Sequence, residues 1–377
     1  MNREIVIVGG GLAGLLCGIV LARKGRDVLL LERSAYSRHK VCGEYISREV
    51  EPLLRSLHIF PDSEGPVWID RLKLTTRSGS SLSSHLPLGA FSLSRYVLDH
   101  FLFQKAIEAG VDLRTGQTVQ SLEKTAGGHM LTTREGLEVR GRLVVCSHGK
   151  RSQVDRELDR DFLRTRSPWV GVKYHIGWEM PADQVELHHF SMGYCGLSRV
   201  ENGKVNLCYL VHADQLRKAG TLERMERETL SENPFLAEVL EDGKRLWEKP
   251  LTISNISFRP KGPIEQGIFF AGDSAGLISP LCGNGMAMAI QTGHQLGLFL
   301  DAHLTGELSR YQLEKQYAYF WRNEFASRLW WGRQIQQLFW RPYLMDKLVG
   351  LGARLPVLTR KVISFTHGKP MYPIPHV

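Results

Sequence analysis

Six cysteines are scattered through 377 residues, Cys17, Cys42, Cys146, Cys195, Cys208 and Cys282, with no C-x-x-C pair and no Cys/His spacing of a metal site. That disfavours a disulfide framework, zinc binding and thioredoxin-type chemistry, so no metal is expected and a reducing cytoplasm is the expected compartment. Long apolar runs are also missing: none reaches the roughly 18 residues that a membrane span requires. The apolar N-terminus is interrupted by glycines and is followed by no small-residue cleavage site, so it does not read as a signal peptide. Internal repeats, low-complexity linkers and nucleic-acid motifs are absent, and the basic residues behind a formal net charge of +9 are spread along the chain. What is there is ordinary for a folded protein: 43% hydrophobic residues and 37 Gly, in a chain long enough for two domains or one interleaved body.

The first organised unit lies at the start. Glu4-Ile5-Val6-Ile7-Val8 is a β-branched run that ends at Gly9-Gly10-Gly11-Leu12-Ala13-Gly14, a G-x-G-x-x-G with Gly9, Gly11 and Gly14 at its fixed positions. Leu12, Leu15, Leu16, Ile19 and Val20 then recur at helical spacing, Lys24-Gly25 stops the helix, and a second strand from Asp27 to Leu31 ends in Glu32. Gly9 permits the tight turn, Gly11 lets the backbone approach a pyrophosphate, and Gly14 lets helix and strand pack closely. The free N–H groups of the helix start face the phosphates, and Glu32 is spaced to accept from an adenosine ribose. Strand, turn, helix, strand and acid in one unit predict dinucleotide binding, with Ala13 and Arg33 beside the third glycine and the acid.

A second glycine-rich stretch, Phe269 to Gly285, has two readings. Gly272-Asp273-Ser274-Ala275-Gly276 fits G-x-S-x-G, the turn on which hydrolases expose a nucleophilic serine, with His294, His303 and His367 downstream. The other reading is a cofactor segment: a strand from Gly267 to Ala271, then Asp273, the loop Pro280-Leu281-Cys282-Gly283-Asn284-Gly285, and a helix from Met286 to Leu300. The hydrolase reading leaves the N-terminal unit unexplained.

The two units together resemble the FAD-binding arrangement of the hydroxybenzoate hydroxylase and geranylgeranyl reductase superfamily. The resemblance implies FAD, with Asp273 at the ribityl and pyrophosphate groups, and Pro280, Gly283, Asn284, Gly285 and Met286 leading a helix whose positive end faces the flavin ring. Ser92 to Asp99 resembles the superfamily's R-x-x-L-D helix, which implies Arg95 near the FAD phosphates; from the residues alone Arg95 is equally a first-turn surface residue. Lys40-Val41-Cys42-Gly43-Glu44 resembles the K-x-C-G segment of the reductases, which makes Cys42 and Glu44 the candidate catalytic residues. A buried inert thiol and a solvent-facing acid at a helix start are their ordinary alternatives.

The chain also departs from its relatives. His148 stands where the hydroxylases carry the Asp of an Asp-Gly pair, so nicotinamide delivery is in doubt; Ser147, His148 and Asp155 read more simply as a turn than as a triad. Of the reductases' aromatic pocket segment only Tyr194 survives, and the halogenase tryptophan motif is not matched at Trp169. The predicted fold is α/β (α+β overall): a discontinuous Rossmann-like FAD-binding domain (1–66, 90–165 and 255–300), an interleaved mixed-sheet substrate domain (67–89 and 166–254) and a helical C-terminal region (301–377). His188 and His189, adjacent on a strand, point to opposite faces and do not share a ligand. The Trp/Arg-rich C-terminal stretch is a core-packed wall, a lid over a greasy substrate, or a contact with the inner face of a membrane. The expected activity is an FAD-dependent monooxygenase acting on a hydrophobic aromatic or polyketide-derived molecule; the alternative is reduction of C=C bonds in a prenyl or other lipophilic substrate. NAD(P)H is a candidate electron donor.

Overall fold

The computed structural model describes residues 1–279, 281, 283–355, 359, 363 and 368–372. Among the described residues the strands form two sheets. In the first, Asn2–Val8 lies parallel between Val28–Glu32 and Glu138–Cys146, with Asp112–Thr115 and Ile268–Phe270 continuing the parallel run on either side. Ile5, Val6 and Ile7 are fully buried because the sheet is covered on both faces, which is why this strand is an unbroken apolar run rather than an alternating one. Ile5 and Ile7 pack with Leu15, Leu16 and Ile19 of the helix Leu12–Arg23 and with Ile290 and Leu296 of the helix Gly285–Leu304. Val6 and Val8 pack on the other face with Trp321, Phe325 and Leu329.

The second sheet is largely antiparallel, running Trp169–Gly177, Val205–His212, Gly193–Arg199, Gln184–Phe190, Val67–Thr75, Ser81–Ser92 and Tyr45–Ser47. Residues 201–204, Glu-Asn-Gly-Lys, form a hairpin turn: Asn202 and Gly203 take positive φ (60° and 71°) between two paired strands. His188 and His189 do part to separate partners, Thr75 and the carbonyl of Phe339.

Boundaries shift where burial extends an element. The strand Ser81–Ser92 runs past Pro87, with Ala90 and Phe91 fully buried and Phe91 paired with Ile46 and Trp68. The helix expected to open at Ser92 therefore begins at Arg95, with Ser94 as its N-cap, its hydroxyl accepting from Val97 N. The long helix Arg310–Phe339 opens on a capping box formed by Ser309 and Gln312 and buries Leu313, Tyr317, Trp321, Phe325 and Leu329, a stripe at four-residue spacing. Its inner face is thus core-packed, as one reading of the aromatic stretch expected. Among the described residues no helix is long and apolar enough to cross a membrane.

Candidate active site

The carboxyl ends of the parallel strands and one face of the second sheet enclose a cavity of about 920 Å³, the place where open α/β sheets present their ligands. From the first sheet and its loops it is lined by Gly9, Gly11, Ala13, Glu32, Arg33, Ser147, Lys150, Arg151 and Asp273; from the second by apolar side chains, among them Leu72, Val185, Leu187, Leu197 and Leu210. Between them stand Cys42, Gly43, Glu44 and Arg95 on one wall and Gly283, Gly285 and Met286 on another.

At the polar side the backbone is packed to contact. Gly9 has φ +105°, and a Cβ added at Gly14 would lie 2.1 Å from the Gly9 carbonyl oxygen and 2.5 Å from Ser147 Oγ. The Glu32 carboxylate is 4% exposed and accepts from Gly10 N (2.7 Å), Ser34 N (3.0 Å) and Arg38 (2.8 Å). Across from it, Lys261 Nζ donates to the carbonyls of Lys150 (2.8 Å) and Asp273 (2.9 Å), and burial pushes its ammonium down to about 8. Asn284 is fully buried at the N-cap of the helix Gly285–Leu304. Pro280 and Cys282 lie outside the described residues.

The Lys40–Glu44 segment is fixed by strands of the second sheet and by the start of the helix Arg95–Glu108. The Glu44 side chain, expected either as a proton donor or as a solvent-facing acid, is fully buried, and the residue holds φ +55°. Its carboxylate accepts from Lys173 Nζ, from His175 Nε2 (2.8 Å) and from the backbone N of Arg95 (2.7 Å), an amide at a helix start that otherwise has no helical partner. Burial alone would raise this carboxylate, but Lys173 and His175 outweigh it and hold Glu44 below the usual range. The backbone carbonyls of Cys42, Gly43 and Glu44 accept from Asn206, Ser198 and Ser92. Beside this segment Arg95 grips Asp99 through two bonds (2.6 and 2.8 Å) and Lys40 adds a third at 2.6 Å, so Arg95 reaches the cavity wall as part of an ion-paired cluster. His39, Glu44 and His175 bring potential ligand atoms within 4.8 Å of one another, but the Lys173 ammonium already occupies the carboxylate a cation would need.

These buried groups predict acid sensitivity. Burial, with Lys173 and His175 nearby, lowers His39 from 6.5 to about 4, so between those values the unfolded chain binds more protons than the folded one and stability falls with pH. Asp155 lies lower, at about 2 against 3.8, because His148 overcomes the effect of its burial, which adds a further loss below about 4. The melting temperature should therefore decline steadily below pH 6.5; a flat profile down to pH 4.5 would remove His39 from the account.

The serine readings fail on geometry. Ser274 is fully buried and its hydroxyl lies 2.6 Å from the carbonyls of both Cys146 and Ala271, so it is committed to the turn. Ser147 likewise donates to the Gly9 carbonyl at 2.6 Å. His148 Nε2 does meet Asp155 Oδ2 at 2.9 Å, but that carboxylate also caps Ser152 N, and its other oxygen meets Arg160.

Comparison with known proteins bears on this same cavity. A family described as FAD binding domain matches residues 92–319, and one described as NAD(P)-binding Rossmann-like domain matches residues 7–66. The chain belongs to the FAD binding domain family. It is an FAD-dependent oxidoreductase of the hydroxybenzoate hydroxylase and geranylgeranyl reductase superfamily. The flavoprotein is 23% identical to conditioned medium factor receptor 1 of Dictyostelium discoideum over 92% of this chain and 73% of that protein. It is 24% identical to digeranylgeranylglycerophospholipid reductase 2 of Methanopyrus kandleri over 90% and 87%. Its fold is shared with a flavin-dependent brominase (TM-score 0.80, 18% identity, 97% of this chain and 93% of that one). It is shared too with a geranylgeranyl bacteriochlorophyll reductase-like protein of Thermoplasma acidophilum (TM-score 0.79, 19%, 97% and 95%). The residues fit the cofactor: the turn is crowded where a pyrophosphate needs close backbone approach, and Lys150 and Arg151 bring positive charge to the same cavity.

Proposed function

We propose that this flavoprotein reduces C=C bonds in a lipophilic substrate, with NAD(P)H as the electron donor. The observation that carries this reading is the position of the Lys40–Glu44 segment, braced by the second sheet and presenting Cys42 between the polar and apolar walls of the cavity. Once reduced by NAD(P)H, bound FAD would supply a hydride to one carbon of the double bond, and a proton from the protein would complete the other. In this proposal Gly9, Gly11, Ala13 and Gly14 admit its pyrophosphate, Glu32 and Arg33 hold the adenosine side, and Asp273 meets the ribityl chain. Gly283, Asn284, Gly285 and Met286 bound the ring, and Arg95 supplies positive charge nearby. The apolar strand residues exclude water and align the substrate.

Cys42 holds the proton for the second carbon, its Sγ accepting from Glu44 N at 3.5 Å. The Glu44 backbone N–H positions that thiol, while its carboxylate holds Lys173 and His175 in place behind the cavity wall. The second reading, hydroxylation of a hydrophobic aromatic or polyketide-derived molecule, draws on the same apolar wall with Tyr194 in it, and it differs in consuming oxygen.

The test reduces the flavin-loaded protein anaerobically and supplies a lipophilic alkene or, with labelled oxygen, a phenol. Saturation of the alkene without oxygen supports reduction, while label in the phenol replaces it with hydroxylation. Cys42→Ser should lower turnover by about 100-fold or more with flavin content unchanged; undiminished turnover would take Cys42 out of the chemistry.

A further inference from the structure

Large exposed apolar side chains gather on one surface. Trp330 and Leu338 of the helix Arg310–Phe339, and Tyr343, Leu348, Leu351 and Leu355 along and just after the helix Pro342–Arg354, are all more than a third exposed, Tyr343 by 80%. Lys347 and Arg354 are exposed among them, four residues after Tyr343 and three after Leu351. The acid of this helix, Asp346, is turned aside and accepts from Ser78 Oγ at 2.8 Å. The opposite face carries Met345 and Val349, 3% and 1% exposed, which pack in one cluster with Tyr194, Leu210 and Leu281. Those last three also line the cavity. One short helix therefore backs side chains that line the apolar side of the cavity with one face and offers an apolar and basic face to solvent with the other.

We propose that this outer face docks on an anionic lipid bilayer. A helix of 13 residues is too short to span, since spanning takes about 20. A mixed apolar and basic face suits a helix lying in the interface, with rings and leucines among the acyl chains and Lys347 and Arg354 at the headgroups. Charge complementarity favours a lipid surface over a second copy of the chain: a two-fold contact on this face would bring Lys347 and Arg354 toward their own copies. The formal net charge of +9 adds a general attraction to the same surface. Docking sets the apolar wall of the cavity against the bilayer, the reservoir of a lipophilic substrate; this consequence rests on the proposed function, whereas the docking itself does not.

The experiment is co-sedimentation of the full-length, flavin-loaded protein with phosphatidylcholine vesicles, with and without phosphatidylglycerol. Binding is expected to the anionic vesicles and to be weakened by high salt. Lys347→Glu with Arg354→Glu should lower it about tenfold or more; Leu351→Ser should also lower it, and both variants should keep their flavin and melting temperature. No sedimentation with anionic vesicles, or equal binding to neutral ones, overturns the proposal. So does a solution dimer that Leu351→Glu converts to monomer. Flavin release from the purified wild type judges the enzymatic reading separately: a protein without flavin sinks that reading and leaves docking to be decided by the vesicles.

Discussion

Gly14→Ala should purify with little or no bound flavin. The added methyl would sit 2.1 Å from the carbonyl oxygen of Gly9, which is main chain and cannot swing aside, and 2.5 Å from Ser147 Oγ. Relief requires the helix Leu12–Arg23 to move off the first strand, which spoils the alignment of its free amides with the phosphates. The stability loss should be about 1–3 kcal/mol, as for other overpacked interiors, while FAD affinity falls by at least about tenfold because the moved turn is the binding surface itself. Gly350→Ala is the matched control: a Cβ there meets open space in an exposed helix, so it should be neutral or stabilising by up to about 1 kcal/mol. Flavin absorbance per protein and thermal melts decide. A Gly14→Ala protein carrying a full complement of FAD would mean that the turn tolerates displacement and that the pyrophosphate is held elsewhere.

The second large effect belongs to Glu44. Glu44→Ala strands the Lys173 ammonium, which is 0% exposed, without a counter-charge; breaking one side of a buried ion pair costs about 3–5 kcal/mol. Lys173→Met strands the carboxylate and should cost a similar amount. The double variant Glu44→Gln with Lys173→Met removes both charges and keeps the volumes, so most of the loss should be regained. Urea unfolding of wild type, Glu44→Gln, Lys173→Met and the double forms a complete cycle. If Glu44→Ala unfolds within about 0.5 kcal/mol of wild type, the level of a surface substitution, then the network contributes nothing to holding the cavity wall.

The N-terminal unit was legible because its constraints are local. Strand, glycine turn, helix and acid fall within residues 4–32, and periodicity and backbone sterics act at that range. The hairpin at Asn202-Gly203 was legible for the same reason. Ser274 shows the converse: its pentapeptide matches a hydrolase turn, and only the third dimension reveals that its hydroxyl is spent on two carbonyls. His148 and Asp155 are seven residues apart, yet nothing in that spacing announced their contact, which depends on the helix that starts at Gln153. Glu44 was hardest to read, because its partners come from 129 and 131 residues away. A signal for them did exist. Lys173 and His175 alternate on a strand whose neighbours are fully or almost fully buried, so both side chains share one face, and a lysine with a histidine on the same buried face calls for an acid across from them.

The strand pairing also dictates an order of events during synthesis. Asn2–Val8 emerges first, but one of its parallel neighbours, Glu138–Cys146, is made far later, and the last residues of that neighbour then pair with Phe269 and Phe270. Parallel pairing over such separations is slow, since loop closure comes before any contact rewards it. At about 5–20 residues per second, the ribosome delivers the complete sheet only after most of the chain has left it. Until then Ile5, Val6 and Ile7 have only Val28–Glu32 beside them and no finished sheet to enter, so the apolar part of the first strand stays incompletely covered for most of synthesis.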